Sequence, residues 1–192
     1  MEITTDKIYE IIESLNSGST IDVQPEALLK TIENEYLQGK SLRLLTKISR
    51  SADISYLKEM IEHGLIDILL RLLQTEKCSS SLHIISFLID RLTDDVVLPF
   101  VSQEFVDTVV DMALNAPFDI MKQAAFVVAT MSYKLGPSIV ETLIQPDIVK
   151  LMVEMLDSDQ NDIMLKCLLA LLNMTRISVL CGKQKEFVEY LN

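Results

Sequence analysis

At 192 residues the chain is long enough to bury a sizeable core, as one domain or as an array of stacked units. Hydrophobic residues at 49% and charged residues at 23% exclude wholesale disorder, and 5 Gly with 5 Pro are too few for the many tight turns of an all-β chain. A net charge of −11 repels phosphate over most of the surface, which argues against nucleic acid as a partner; it suits a basic partner, or simply solubility.

The N-terminus, Met-Glu-Ile-Thr-Thr-Asp, has no basic region followed by an apolar run and so no secretory signal. From Asp6 to about Leu15 the spacing of Ile8, Ile11, Ile12 and Leu15 predicts a short amphipathic helix, with Thr5 or Asp6 at its cap. Asn16-Ser17-Gly18-Ser19-Thr20 breaks it. Residues 1–23 are therefore expected to form an N-terminal cap over the apolar end of whatever follows. Pro25 opens the next helix, which carries Leu28, Leu29, Ile32 and Tyr36 and is expected to end at Gly39. A second helix from Ser41 to about Ile48 presents Leu42, Leu44, Leu45 and Ile48. On its other side Arg43, Lys47 and Arg50 share a face, either a solvated charged surface or a cationic binding surface.

From Asp53 the organisation becomes regular. A short helix (Tyr56 to His63), a turn at Gly64, a second helix (Leu65 to Leu73) and a long apolar third helix (about Ser80 to Leu92) follow one another. The same scheme returns as Val96–Val101, Phe105–Leu114 and Ile120–Tyr133, and again as Ser138–Ile144, Pro146–Leu156 and Ile163 to about Ile177. Phe105-Val106-Asp107-Thr108-Val109-Val110-Asp111-Met112 has the polarity of Ile148-Val149-Lys150-Leu151-Met152-Val153-Glu154-Met155, 43 residues later, and Asp119-Ile120-Met121 recurs as Asp162-Ile163-Met164. A fixed period near forty in an apolar-rich chain marks a helical solenoid. Pro25, Pro99, Pro117, Pro137 and Pro146 all fall at helix starts or breaks, where a missing N–H costs little. A final short helix, Lys185 to Leu191, either caps the array or opens a further unit. No uninterrupted apolar stretch reaches the roughly 18 residues that span a bilayer, so no membrane insertion is expected.

Chemistry finds little to work with. Cys78, Cys167 and Cys181 form no CxxC, and Cys167 lies on an apolar face as a small core residue; this usage suits the reducing cytoplasm or nucleus. His63 and His83 have no metal-ligand spacing, and His63 sits favourably near a helix C-terminus. There is no GxGxxG, P-loop or GxSxG. Asp157, Asp159 and Asp162 lack the glycine and terminal glutamate of a Ca²⁺ loop, and Asp94-Asp95 fits a helix start. The expectation is a protein with no catalytic residue, no metal and no cofactor.

A short helix, a second helix and a third helix repeating every 40 to 43 residues resemble the armadillo repeat. The likeness covers about 24–192: a degenerate unit at 24–52, full units at 53–94, 95–136 and 137–178, and a partial unit or cap at 179–192. HEAT repeats, with two helices per unit, fit less well. The resemblance implies an all-α, right-handed superhelical solenoid of three-helix repeats whose third helices line a concave groove for an extended peptide. In the importin-α import adaptors that groove carries Trp and, four residues on, Asn. The corresponding pairs here are Arg43 with Lys47, Phe87 with Arg91, Phe126 with Thr130, and Leu169 with Asn173. Only Asn173 matches, the chain has no Trp, and no basic importin-β-binding segment precedes the repeats, so the usual cargo is not expected. The implied function is a non-enzymatic protein-interaction scaffold, with Arg43, Lys47 and Arg91 favouring an acidic or phosphorylated segment and Phe87, Phe126 and Leu169 adding apolar contacts. The alternatives are a regulatory or structural module working through its convex face or its ends, as a chaperone cofactor or by self-association, or a divergent import-adaptor fragment.

Overall fold

The structure, a computed structural model, describes residues 3–16 and 23–191, with side chains throughout except at 14–16. The expected loop at Ser17 to Thr20 and the side chain of Leu15 lie outside the described residues. Among the described residues there are thirteen α-helices and no strand, in two compact units, Met1–Leu92 and Thr93–Asn192.

The first unit contains α1 (Thr5–Asn16), α2 (Pro25–Glu33), α3 (Glu35–Ser51), α4 (Ile54–Glu62), α5 (Leu65–Leu72) and α6 (Cys78–Arg91). Ile8 and Ile11 are buried as α1 packs on α3. The expectation that Gly39 ends a helix is corrected: the break is at Asn34, and α3 runs straight through Gly39. Asn34 is in an extended conformation and its side-chain oxygen accepts the Tyr36 N–H at 3.0 Å, which satisfies one of the donors a helix start leaves over. Tyr36 thus belongs to the exposed side of α3 rather than to the apolar face of α2, and is 83% exposed. Gly64 turns α4 into α5 with φ +93°, a left-handed conformation that glycine adopts without a Cβ penalty. The Tyr56 hydroxyl on α4 donates to Val23 O at 2.9 Å, tying α4 to the segment that leads into α2, and burial pushes its pKa up to about 12.

The second unit contains α7 (Asp94–Val97), α8 (Gln103–Asn115), α9 (Phe118–Lys134), α10 (Pro137–Leu143), α11 (Pro146–Glu154, continued by a 3-10 turn at Met155–Asp157), α12 (Asn161–Leu180) and α13 (Gln184–Tyr190). Ser102 caps α8 by accepting the Phe105 N–H at 3.2 Å. The short helix expected over Val96–Val101 is a single turn, and Pro99 follows it in a turn. α9 lies between α8 and α12, and every side chain from Ala124 to Ser132 is buried. α12 turns Ile163, Cys167, Ala170, Met174 and Ile177 inward, a 3–4 spacing that puts them on one stripe. α13 seats Phe187 in the core, and Lys183, just before it, meets Glu141 of α10 at 2.9 Å. That hydrogen bond and charge hold the half-buried Glu141 carboxyl below its usual range.

One expectation about length is also corrected. α12 has 20 residues, a mean hydropathy of 1.7 and no more than two charges in its best window, which suffices by length and composition to cross a bilayer. Counting consecutive apolar residues conceals this, because Lys166, Asn173 and Arg176 interrupt the run. A third of that window (33%) is buried against the rest of the unit.

Candidate functional site

α3 buries Leu42, Leu44, Leu45 and Ile48 on one side. On the opposite side Tyr36, Lys40, Arg43, Lys47 and Arg50 follow one another at i, i+4, i+7, i+11 and i+14, a heptad spacing that sets four cations in one row under an exposed tyrosine. Because the helix rises about 1.5 Å per residue, that row is roughly 15 Å long. Arg43 and Arg50 are exposed, and Lys40 and Lys47 half-buried. Aromatic rings bracket the row: Lys40 Nζ is 5.5 Å from the Tyr9 ring centroid and 5.9 Å from that of Tyr36, and Arg50 Cζ is 5.1 Å from that of Phe87. Arg43 and Lys47 belonged to the sequence-derived groove, whereas Lys40 did not. The assumed helix end at Gly39 had cut Lys40 and Tyr36 off from the heptad they continue.

Register on α6 differs from the sequence-derived pairing. Ala52, Leu92 and Leu135 are the C-caps of α3, α6 and α9, each with its backbone N–H on a carbonyl four residues back. Counted from those caps, His83 corresponds to Arg43 and Phe126, and Phe87 corresponds to Lys47 and Thr130. That count pairs His83 with Phe87, one helical turn before the expected pair Phe87 with Arg91. The His83 and Phe87 rings meet edge-to-face, with centroids 4.8 Å apart and planes at 87°. Arg91 is tied to main-chain carbonyls at the end of α3. Its guanidinium donates to Ser49 O at 2.9 Å and to Ala52 O at 2.6 Å, closing the C-terminus of α3.

In the second unit the expected groove residues behave differently. Phe126 is 6% exposed and Thr130 is fully buried with its hydroxyl on Phe126 O at 2.7 Å, so neither offers surface to a peptide. Both lie on the stretch of α9 that is buried throughout, from Ala124 to Ser132, where the helix packs between α8 and α12. Asn173 is half-buried, and its Nδ2 donates to Ser132 O at 2.7 Å. The amide thus joins α12 to the C-terminal turn of α9. Leu169 remains partly open, at 36%. Beside it Lys166 Nζ sits 2.5 Å from the Tyr133 hydroxyl and 4.3 Å from that ring's centroid.

Elsewhere, concavities are shallow. One of about 440 Å³ lies between Ile3 and the α2 residues Glu26, Ala27, Lys30 and Thr31, and one of about 290 Å³ between Phe118, Lys122 and the 3-10 turn. Among the described residues no three His, Cys, Asp or Glu side chains converge as metal ligands would. Burial pushes the Cys167 thiol up to about 12, the direction of an inert core thiol rather than a nucleophile.

These features define an all-α repeat architecture, and comparison with solved structures gives the class of fold. The chain is similar to a designed armadillo repeat protein in complex with the peptide (KR)4, at TM-score 0.63 and 15% identity, covering 97% of this chain and 86% of that one. It is similar as well to computationally designed armadillo repeat proteins for modular peptide recognition (TM-score 0.62, 16% identity, 97% and 87% covered) and to an engineered protein (0.62, 15%, 98% and 83%). The fold is therefore an all-α solenoid of armadillo-like repeats. No protein-family model matches the chain, and no curated protein matches it by sequence.

Proposed function

We propose that this chain is a non-enzymatic peptide-binding scaffold that holds an acidic, extended segment of a partner protein along the α3 face of its first unit. The row Lys40, Arg43, Lys47 and Arg50 carries this reading, because four cations share one helix face in a chain of net charge −11. A row that binds nothing would be expected to mix signs, since like charges at i, i+4 repel one another. Arginine adds forked donors that match carboxylate or phosphate, and Tyr9, Tyr36 and Phe87 offer ring faces at the edges of the row. The designed neighbour described with (KR)4 has a basic peptide as its ligand. The row on α3 is cationic, which favours a ligand of the opposite sign.

The test is fluorescence anisotropy with a labelled Glu-rich octapeptide, its phosphoserine counterpart and (KR)4. The acidic peptides are expected to bind more tightly than (KR)4 and to weaken with added salt. The triple substitution Arg43→Ala, Lys47→Ala and Arg50→Ala is expected to weaken them roughly tenfold or more, from three exposed pairs of about 0.5 kcal/mol each. Tighter binding of (KR)4, or an unchanged affinity in the triple variant, overturns the reading.

A further inference from the structure

α12 is apolar on two opposite sides. Its inward stripe, Ile163, Cys167, Ala170, Met174 and Ile177, is at most 3% exposed. About half a turn away runs a second row with the same 3–4 spacing: Asn161, Leu165, Leu168, Leu172, Thr175 and Val179. Its leucines are 52%, 55% and 67% exposed, and Val179 is 52% exposed. With the flanking Met164 (39%) and Leu169 (36%), these side chains leave open roughly 600 Å² of nearly continuous apolar surface, at the upper limit for a typical monomer. With a polar rim added, that approaches the roughly 800 Å² that each partner of a stable interface buries. α9 shows what such a face accepts. By the 43-residue period Leu168 and Leu172 correspond to Ala125 and Ala129 of α9, both 0% exposed, so on the preceding third helix the same side is wholly covered.

From the rim charges we infer that a second copy of this chain occupies the face, through an antiparallel, two-fold pairing of α12 with α12. Asp162, Leu169 and Arg176 occupy one edge of the outer row at intervals of seven, so they are the same heptad position repeated. In an antiparallel pair each such edge meets its own copy in reverse order. Leu169 then lies at the two-fold axis against Leu169 of the second copy, Asp162 faces Arg176 of the second copy, and Arg176 faces its Asp162. Leu168 layers against Leu172 of the second copy, and Leu165 against its Thr175. One patch thus supplies both halves of each contact, as an isologous interface requires. A parallel pairing would set this edge against the Met164 and Leu171 edge, with no charge to match. The antiparallel arrangement also opposes the two helix dipoles. The inference does not depend on the peptide face of α3, which lies in the other unit.

The experiment is sedimentation velocity on the full chain at about 0.15 M salt, where screening shortens the reach of the repulsion between two −11 chains to about 8 Å. A species of twice the 21.7 kDa chain mass is expected, reverting to monomer with Leu168→Glu while the helical circular dichroism stays unchanged. Asp162→Arg alone is expected to shift the dimer dissociation constant upward by roughly tenfold, and Asp162→Arg combined with Arg176→Asp to restore it, because the reversed charges again face one another. A chain that stays monomeric at about 100 µM overturns the inference, as does a dimer indifferent to Leu168→Glu. A monomer that co-sediments with uncharged phosphatidylcholine vesicles would assign the face to a lipid surface instead and likewise overturn it. Failure of the double charge exchange to recover the dimer would remove the antiparallel register.

Discussion

Arg91 donates to Ser49 O and Ala52 O, at the end of α3 where the helix runs out of its own donors. A cation there also opposes the negative end of the helix dipole. Arg91→Ala is therefore expected to lower the stability of the first unit by about 2 kcal/mol, the scale of a lost charged hydrogen-bond pair that leaves carbonyls unpaired. Arg91→Lys should recover only part of this, because one ammonium cannot reproduce the fork. Urea denaturation of the three proteins checks it. Acidic-peptide binding should change little in Arg91→Ala, which separates this residue from Arg43. Nothing local marked the difference. Both are arginines on third helices, and the bonds that distinguish them span 39 and 42 residues of chain. Asn173 makes the same point, since its match to a peptide-clamping position hid a bond to Ser132 O.

At the scale of single helices, two glycines have opposite roles. Gly39 lies in the exposed interior of α3, and a Cβ there would meet nothing within 4 Å. Gly39→Ala should therefore stabilise α3 by roughly 0.5–1 kcal/mol, with a matching rise in thermal midpoint. Gly64 has as much room but sits at φ +93°, so Gly64→Ala should destabilise by about 1 kcal/mol or more. An outcome in which both substitutions act in the same direction would contradict this reading of α3 as continuous. Composition alone assigns both glycines to turns. What decides is Asn34, whose cap starts a new helix five residues before Gly39 and carries Tyr36 and Lys40 into the cationic heptad. The helices themselves, with their proline starts and apolar stripes, were legible because 3.6-residue periodicity is a local property of the chain.

For the molecule as a whole, burial raises weak acids in both units: the Cys78 thiol and the half-buried Tyr56 phenol in the first, and the Cys167 thiol in the second. Tyr56 in the first and Cys167 in the second are both pushed up to about 12 by burial, from ordinary values near 10 and 9. In the unfolded chain these groups lose their protons at the ordinary values, while the folded chain keeps them on. Folded pKa values above unfolded ones mean that the contribution is complete below about pH 9 and is lost as pH rises from there towards 12. Urea midpoints are expected to hold between pH 7 and 9 and to fall by pH 10.5. Cys167→Ala should flatten the decline starting near pH 9, and Tyr56→Phe the part above 10. An unaltered slope in both variants would place the alkaline loss on other groups.

By itself the sequence determined the helical class, the period of 40 to 43 residues and the inward stripe of the amphipathic helices, Tyr36 excepted, because these follow from local propensity and spacing. It also placed Arg43, Lys47 and Arg50 on one face, since i, i+4 and i+7 settle that without any partner. Only the tertiary structure decided which polar side chains remain at the surface. Arg91 and Asn173 turned to main-chain carbonyls, and Phe126 and Thr130 were buried within the second unit, because buried donors must be satisfied and apolar faces covered by whatever lies alongside. The same packing left the outer row of α12 uncovered, although its leucines are as apolar as the isoleucines that the helix buries.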